Sequence, residues 1–365
     1  MGCAIIGCGN AIPDLEIDND QMAMLVETSD EWISQRTGIK TRRIALEETS
    51  VDLSAEAARK ALGWDEGGYS ERSIDPEEID LVITATLTGD VLVPSNAALL
   101  RRKLGLKNAI CFDLNAACSG FTYALNVAES MIAASATADN RTPIRHALVV
   151  AVERPSRITN WADRNTCVLL GDGAGAVVLE YDENRAGILS TFLANEDDIH
   201  NALTCPTPLD VVPPFDEAGV NTEEGREDGS HPSIDQFVDI EESLAQGNPR
   251  NVLRMNGQRV FKFSARAMKQ AITEVCERAH VSLDDIALIV PHQANERIID
   301  FGARHMGISK DLFKLSIEHR GNTSAASVPM ALADAYNEGQ IKKGDKVIVV
   351  AFGGGFTIGA ALYEA

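Results

Sequence analysis

The chain has no apolar run of 18 residues, and its start lacks a basic stretch followed by an apolar one. Neither a membrane-spanning helix nor a secretory leader is therefore expected. Gly2 is followed by Ile6, where an N-myristoylation signal carries Ser or Thr, so no lipid anchor is expected either. Positive charge is scarce: 33 Lys and Arg stand against 54 Asp and Glu, a formal net charge of −21. Such a balance argues against nucleic acid or an anionic membrane as a general partner. Cysteine is present but unorganised. The seven residues, at 3, 8, 111, 118, 167, 205 and 276, are odd in number, widely spaced and free of any C-x-x-C pair. That usage suits reduced thiols in a cytoplasmic protein rather than a disulfide framework.

What is present is a repeated α/β pattern. With 365 residues and 45% hydrophobic content, the chain can hold two or three domains, or one large pseudo-repeated unit. In the first half, strands are expected at 4–7, 81–86, 109–114, 146–153 and after the glycine-rich turn at 171. Helices are expected at about 52–62, 95–104 and 120–135, with capping signals at Asp18–Asp20 and at Ser29. Residues 64–76 and 136–143 read as polar loops.

The second half follows the same order. Strand 286–290, helix 296–306, strand 313–317, a helix from Ser324, strand 346–352 and a last strand at 357–363 answer the first set. The offset stays near 200 residues, so an internal duplication is expected, with halves at 1–182 and 183–365. Residues 206–247 break the pattern. They are acidic and without periodicity, as expected of a solvated insertion or a functional excursion loop.

Three residues that end apolar runs carry chemistry. Cys118 follows the apolar run 109–114, expected to be a buried strand, and stands at the start of the helix from Gly120. Unpaired N–H groups and the helix dipole at such a place favour a thiolate and lower the thiol pKa. His292 and Asn322 stand at corresponding ends in the second half. Each alone has an inert interpretation, because free cysteines and histidines after apolar runs are often simply packed. Their conjunction, amid the small residues Ala116, Ala117, Ser119, Gly120, Gly321, Ser324, Ala325 and Ala326, points instead to covalent acyl chemistry. Two halves packed face to face would bring these strand ends together. The set lacks metal-ligand spacing, so no metal is expected. Gly171-Asp-Gly-Ala-Gly175 is not the dinucleotide fingerprint.

Six ordered blocks carry a family resemblance. They are Thr28–Ile33 with Arg36–Ile39, Ala116–Ala124, Gly171–Ala176, Pro291–Asn295, Gly321–Pro329 and Ala351–Phe356. On them, nearly the whole chain resembles the thiolase-like ketoacyl synthases, most closely the 3-oxoacyl-[acyl-carrier-protein] synthase III family. The resemblance implies an α/β thiolase-like fold, two duplicated halves in a layered αβαβα architecture. It also implies a cofactor-free homodimer that condenses an acyl-CoA with malonyl-[acyl carrier protein] through an acyl-cysteine. Cys118 would be the nucleophile, with His292 and Asn322 stabilising charge on the malonyl thioester oxygen. The backbone of Cys118 and of Gly354 would hold the acyl oxygen. Trp32, Arg36, Arg164 and Asn295 match positions that hold CoA, and indole and guanidinium suit adenine and phosphate. Arg259, Lys262, Arg266 and Lys269, at helical spacing, and Arg297 form a basic face for an acidic carrier protein; an ordinary solvated helix face is the alternative.

The chain departs from the resembled pattern at three places. Val93 stands where a bulkier aromatic often reaches the partner subunit's acyl pocket, which would admit longer or branched acyl groups. Glu296 replaces an apolar residue, and the 206–247 excursion is long. Other activities fit parts of the pattern: acyl transfer to a small acceptor without decarboxylation, a papain-type hydrolase, or a non-catalytic member of the fold. Asn322 favours condensation over the first, the duplicated halves disfavour the second, and the intact Cys118, His292 and Asn322 disfavour the third.

Overall fold

Strand β1 (Gly2–Ala11) is buried along its whole length, as a strand must be when helices cover both faces of its sheet. The computed structural model describes residues 2–137, 140–206, 215–216, 219–220 and 252–365. The next strands are β2 (Leu15–Asp18), β3 (Thr41–Ile44), β4 (Tyr69–Ser70), β5 (Leu81–Ala85), β6 (Ile110–Leu114), β7 (His146–Glu153) and β8 (Gly173–Asp182). They continue with β9 (Ile188–Asn195), β10 (Leu203–Thr204), β11 (Phe215–Asp216), β12 (Gly219–Val220), β13 (Arg254–Met255), β14 (Ile286–Pro291), β15 (Lys346–Gly353) and β16 (Thr357–Glu364). The helices are α1 (Asn19–Ala23), α2 (Asp30–Thr37), α3 (Ser50–Ala61), α4 (Asn96–Leu104), α5 (Gly120–Ala136) and α6 (Arg164–Cys167). After them come α7 (Gly257–Ala279), α8 (Glu296–Met306), α9 (Ile317–Arg320) and α10 (Ser327–Asn337).

Two sheets carry the duplication. The first has the order β4-β1-β8-β7-β5-β6 and the second β14-β15-β16-β9. In the first, β5 is parallel to β7, while β7–β8 and β8–β1 are antiparallel. In the second, β14 is parallel to β15, while β15–β16 and β16–β9 are antiparallel. The same pairing recurs in the same order.

Side-chain alternation then fixes the layers. Along β5, Leu81, Ile83 and Ala85 join the cluster that holds α5 and α10, and Val82 joins the one that holds α3 and α4. Helices α7 and α8 cover the outer face of the second sheet. The stack is therefore helix, sheet, helix, sheet, helix, with α5 and α10 between the sheets. Among the described residues no helix is long and apolar enough to cross a membrane. All seven cysteines are free.

Three expectations need correction. The strand at 313–317 does not form. Phe313 makes one parallel bridge to Ile289, between a 3-10 turn at Lys310–Leu312 and the short helix α9. Buried Gln293 takes the groups a ladder would use: its Nε2 donates to the Lys314 carbonyl and its Oε1 accepts from the Ser316 N–H. Strand β6 is not buried but lies at the sheet edge, with Ile110 41% exposed. The loop at 64–76 contains β4, which pairs with β1. The excursion at 206–247 lies almost wholly outside the described residues; within it, β11 and β12 pair antiparallel.

Candidate active site

The nucleophile turn is built by its own backbone. Asn115 Oδ1 accepts the Ala117 N–H at 3.0 Å, and Ala117 takes φ 48°, an uncommon left-handed conformation for a residue with a Cβ. The turn delivers Cys118 just before Ser119, the N-cap of α5. Thr357 fastens it from the second half: its Oγ1 donates to the Ala116 carbonyl at 3.0 Å, and its carbonyl accepts from Ser119 Oγ at 3.2 Å. Gly353 makes the close approach, because a Cβ there would lie 2.7 Å from the Cys118 nitrogen. Gly354, one residue on, faces Leu203.

The helix start does not leave Cys118 as a low-pKa thiol. Desolvation pushes the thiol up to about 11; the Ser324 hydroxyl opposes this and the nearby Glu153 adds to it.

Asn322 reaches the same place from the other half. Its backbone N–H donates to Leu169 at 2.8 Å, and its carbonyl accepts from Gly171 at 3.0 Å. Its Oδ1 accepts the Ser324 N–H at 2.8 Å. An N–H can only be met by the amide oxygen, so the NH2 end is oriented and left to donate elsewhere. Ser324, at φ 51°, sets its Oγ 3.4 Å from Cys118 Sγ.

His292 continues β14 by donating its N–H to Val350 at 2.8 Å. Its ring is buried edge-on to Phe352, with centroids 5.5 Å apart, and its Nδ1 lies 2.6 Å from Ser327 Oγ. Burial drives its pKa down to about 3, so the imidazole is neutral. The cysteine, histidine and asparagine thus converge through Ser324, Ser327 and Gly353. Among the described residues no group of three His, Cys, Asp or Glu is placed to hold a metal ion.

The glycine-rich segment at 171–175 is explained by packing. A Cβ at Gly171 would lie 2.2 Å from the Arg320 carbonyl, and one at Gly175 would lie 2.6 Å from the Met330 nitrogen. Asp172 accepts the Ala45 N–H at 2.9 Å and the Ser156 hydroxyl at 2.6 Å. The segment lets the Asn322 loop and α10 press onto β8.

A second cluster stands at α2. The Trp32 ring lies under two guanidinium groups, Arg36 at 4.5 Å and Arg164 at 4.7 Å. Neither arginine pairs with a carboxylate among the described residues; Arg164 donates to the Glu27 carbonyl at 2.8 Å. Asn295 caps α8 through the Arg297 N–H and donates to the Arg36 carbonyl at 3.0 Å. Its amide therefore ties α8 to α2. Glu296 is satisfied by Lys310 and packs against Gly38.

The remaining candidates lie elsewhere. Arg259, Lys262, Arg266 and Lys269 are all exposed on α7, and Arg297 is exposed at the start of α8. Phe261 and Phe301, 5.8 Å apart, hold these helices together. Arg266 is paired with Glu196. Val93 is 81% exposed on a loop with exposed Val91 and Leu92, rather than in a pocket of its own chain. Sequence inspection did not single out Ser327 or Glu153. A lone acid ending the apolar run 147–152 of β7 was the available signal for Glu153.

Residues 112–196 match the family model described as 3-oxoacyl-[acyl-carrier-protein] synthase III, and residues 276–365 match its C-terminal model. A β-ketoacyl-[acyl-carrier-protein] synthase III of Clostridium acetobutylicum is 42% identical over 99% of this chain and 98% of the relative. The crystal structure of a 3-oxoacyl-[acyl-carrier-protein] synthase III from Aquifex aeolicus superposes with TM-score 0.81 at 37% identity, covering 100% of both chains. A β-ketoacyl-[acyl carrier protein] synthase III from Thermus thermophilus superposes equally well, TM-score 0.81 at 34% identity over 99% of each. The fold is that of the thiolase-like condensing enzymes. Within that class, the chain belongs to the 3-oxoacyl-[acyl-carrier-protein] synthase III family.

Proposed function

We propose that the chain condenses an acyl-CoA with malonyl-[acyl carrier protein] through an acyl-Cys118 intermediate, starting fatty-acid or related synthesis. The carrying observation is the fixed orientation of Asn322, whose amide can only donate into the site. Beside it, Ser327 Oγ accepts the Gln293 N–H at 3.3 Å and lies 2.6 Å from His292 Nδ1. With Nδ1 engaged by Ser327, the neutral ring would act in this reaction as the tautomer with its hydrogen on Nε2. Two neutral donors meet the negative charge that forms on the malonyl thioester oxygen as CO2 leaves, without themselves titrating. The N–H groups of Cys118 and Gly354 would hold the acyl oxygen during attack on the thioester.

No cofactor is required for this chemistry, and CoA enters only as the thioester. Trp32, Arg36 and Arg164 would take its adenine and phosphates, with Asn295 positioning α2. The carrier protein would dock on Arg259, Lys262, Lys269 and Arg297, which hold no ion pair with described residues, and on Arg266. The chain divides into halves at 1–182 and 183–365 and works in the cytoplasm. It works as a homodimer through the edge strand β6 and the exposed loop Val91–Val93, which lets Val93 reach the partner's acyl pocket. Light scattering at twice the 39.3 kDa chain mass checks the dimer.

Intact-mass spectrometry with a panel of acyl-CoAs, then malonyl-[acyl carrier protein], tests the reaction. An adduct on Cys118 that disappears with CO2 release and a two-carbon-longer carrier-bound product is expected. An adduct that ignores the malonyl carrier would instead establish acyl transfer without decarboxylation.

A further inference from the structure

We propose that Glu153 is the proton store of the nucleophile, exchanging a proton with Cys118 through the Ser324 hydroxyl. This rests on Cys118 being the acylated residue. Glu153 ends β7 at the strand end that faces the site, and it is fully buried. Its Oε2 accepts the Thr88 hydroxyl at 2.5 Å, and both oxygens lie 3.3 Å from the Leu87 N–H. Its Oε1 lies 3.5 Å from Ser324 Oγ, the same oxygen that stands 3.4 Å from Cys118 Sγ. Ser324 is held for this in a left-handed conformation by Asn322 Oδ1.

The groups facing Glu153 are the loop after β5, the Ser324 turn and the Cys118 turn. Among the described residues of these segments the titratable groups are Cys118 and Asp90, and none is a cation; the Asp90 carboxylate turns away to the Ser50 and Val51 N–H groups. The neighbouring Arg154 turns to Asp90 at 3.4 Å, and His292 is bonded to Ser327. Burial without a cation pushes the carboxyl up to about 8, where a group both takes and returns a proton near neutrality.

The proton count closes over the cycle. In acylation the Cys118 proton passes to Ser324 as the Ser324 proton passes to Glu153. Sulfur bonds to the donor carbonyl, the donor C–S bond breaks, and the CoA thiolate takes its proton from water. In condensation the malonyl carboxylate leaves as CO2, and the enolate carbon bonds to the acyl carbon. The Cys118 C–S bond then breaks, and the Glu153 proton returns through Ser324 to the departing sulfur. The negative charge lost from malonyl reappears on Glu153.

The test is the rate of Cys118 alkylation by iodoacetamide from pH 6 to 10, read by peptide mass spectrometry on the full chain, Glu153→Gln and Ser324→Ala. In the wild type the rate should rise with a midpoint near pH 8. Both variants should lose that rise and react at least ~10-fold more slowly at pH 8. Electrostatics alone predicts the opposite for Glu153→Gln, since removing a nearby negative charge lowers a thiol pKa. An equal or faster rate therefore overturns the proposal, as does an unreactive wild-type Cys118. Ser324→Ala keeps the carboxylate but also removes a hydrogen bond that favours the thiolate, so its deciding readout is the midpoint: a slower rise that keeps its midpoint near pH 8 overturns the proposal even if the glutamine variant does not fold. No acyl substrate is used: a wild type that alkylates as expected but accepts no acyl-CoA would refute the condensing activity and leave the relay standing.

Discussion

His292 Nδ1 and Ser327 Oγ lie 2.6 Å apart, 35 residues from each other in the chain and both buried. The hydroxyl also receives the Gln293 N–H. This bond decides which ring nitrogen faces the substrate.

Ser327→Ala should release the ring and leave Nδ1 and the Gln293 N–H without a partner. We expect decarboxylation of the malonyl carrier to fall by about 10- to 100-fold, by analogy with loss of one oxyanion donor. Acylation by acyl-CoA should fall much less. Rapid-quench measurement of each half-reaction separates the two, and equal losses in both would exclude a role specific to His292.

Gly171→Ala should push the Arg320–Asn322 loop off β8, because its Cβ would sit 2.2 Å from the Arg320 carbonyl. Backbone cannot yield as a flexible side chain does. The expected outcome is an enzyme that forms the acyl adduct but turns over at least ~10-fold more slowly, with a lower melting temperature. Gly257→Ala, where a Cβ meets nothing within 4 Å, is the control.

Two buried groups give opposite pH signatures in stability. His292, held at about 3 against an ordinary 6.5, contributes stability fully present above pH 6.5 and lost as pH falls towards 3. Glu153, held at about 8 against 4.5, contributes stability present below pH 4.5 and lost as pH rises through 8. Glu153→Gln should therefore raise the melting temperature relative to wild type by at least ~2 °C more at pH 9 than at pH 5. Parallel melting curves across that range would show that Glu153 does not titrate between them.

Trp32→Ala removes the surface on which Arg36 and Arg164 rest. KM for acyl-CoA should rise by about tenfold, the equivalent of roughly 1.4 kcal/mol. An acyl-pantetheine donor, which has no adenine, should be used as well by the variant as by wild type. Steady-state kinetics with both donors checks this.

Charge reversal at Lys262 and Arg297 should raise KM for the malonyl carrier without changing the acylation burst, and added salt should weaken wild-type binding in the same direction. Arg266→Ala should matter less, because Glu196 already offsets that charge. Loss of the burst itself would mean that these residues act on the nucleophile side.

Much of this molecule is written locally. Ser29 caps α2 through the Trp32 N–H, and Gly38, Gly105 and Gly307 end their helices at φ 80°, 71° and 71°. These signals lie within a few residues of one another, so periodicity and caps suffice to find them. The repeated order of strands was legible for the same reason, whereas Asn322 follows the short helix α9 and not the strand expected at 313–317.

Tertiary structure decided what depends on distant partners. The missing strand at 313–317 follows from Gln293, which spends its amide on the backbone that a ladder would need. The upward shift of the Cys118 thiol follows from desolvation, which no local pattern encodes, and its direction is opposite to that expected of the helix start. Glu153 and Ser324 meet across 171 residues and Cys118 and Ser324 across 206. Sequence by itself determined the elements, their order and the reactive residue types. Which proton sits on which atom was decided only by the fold, because desolvation and hydrogen bonding act between groups brought together from both halves.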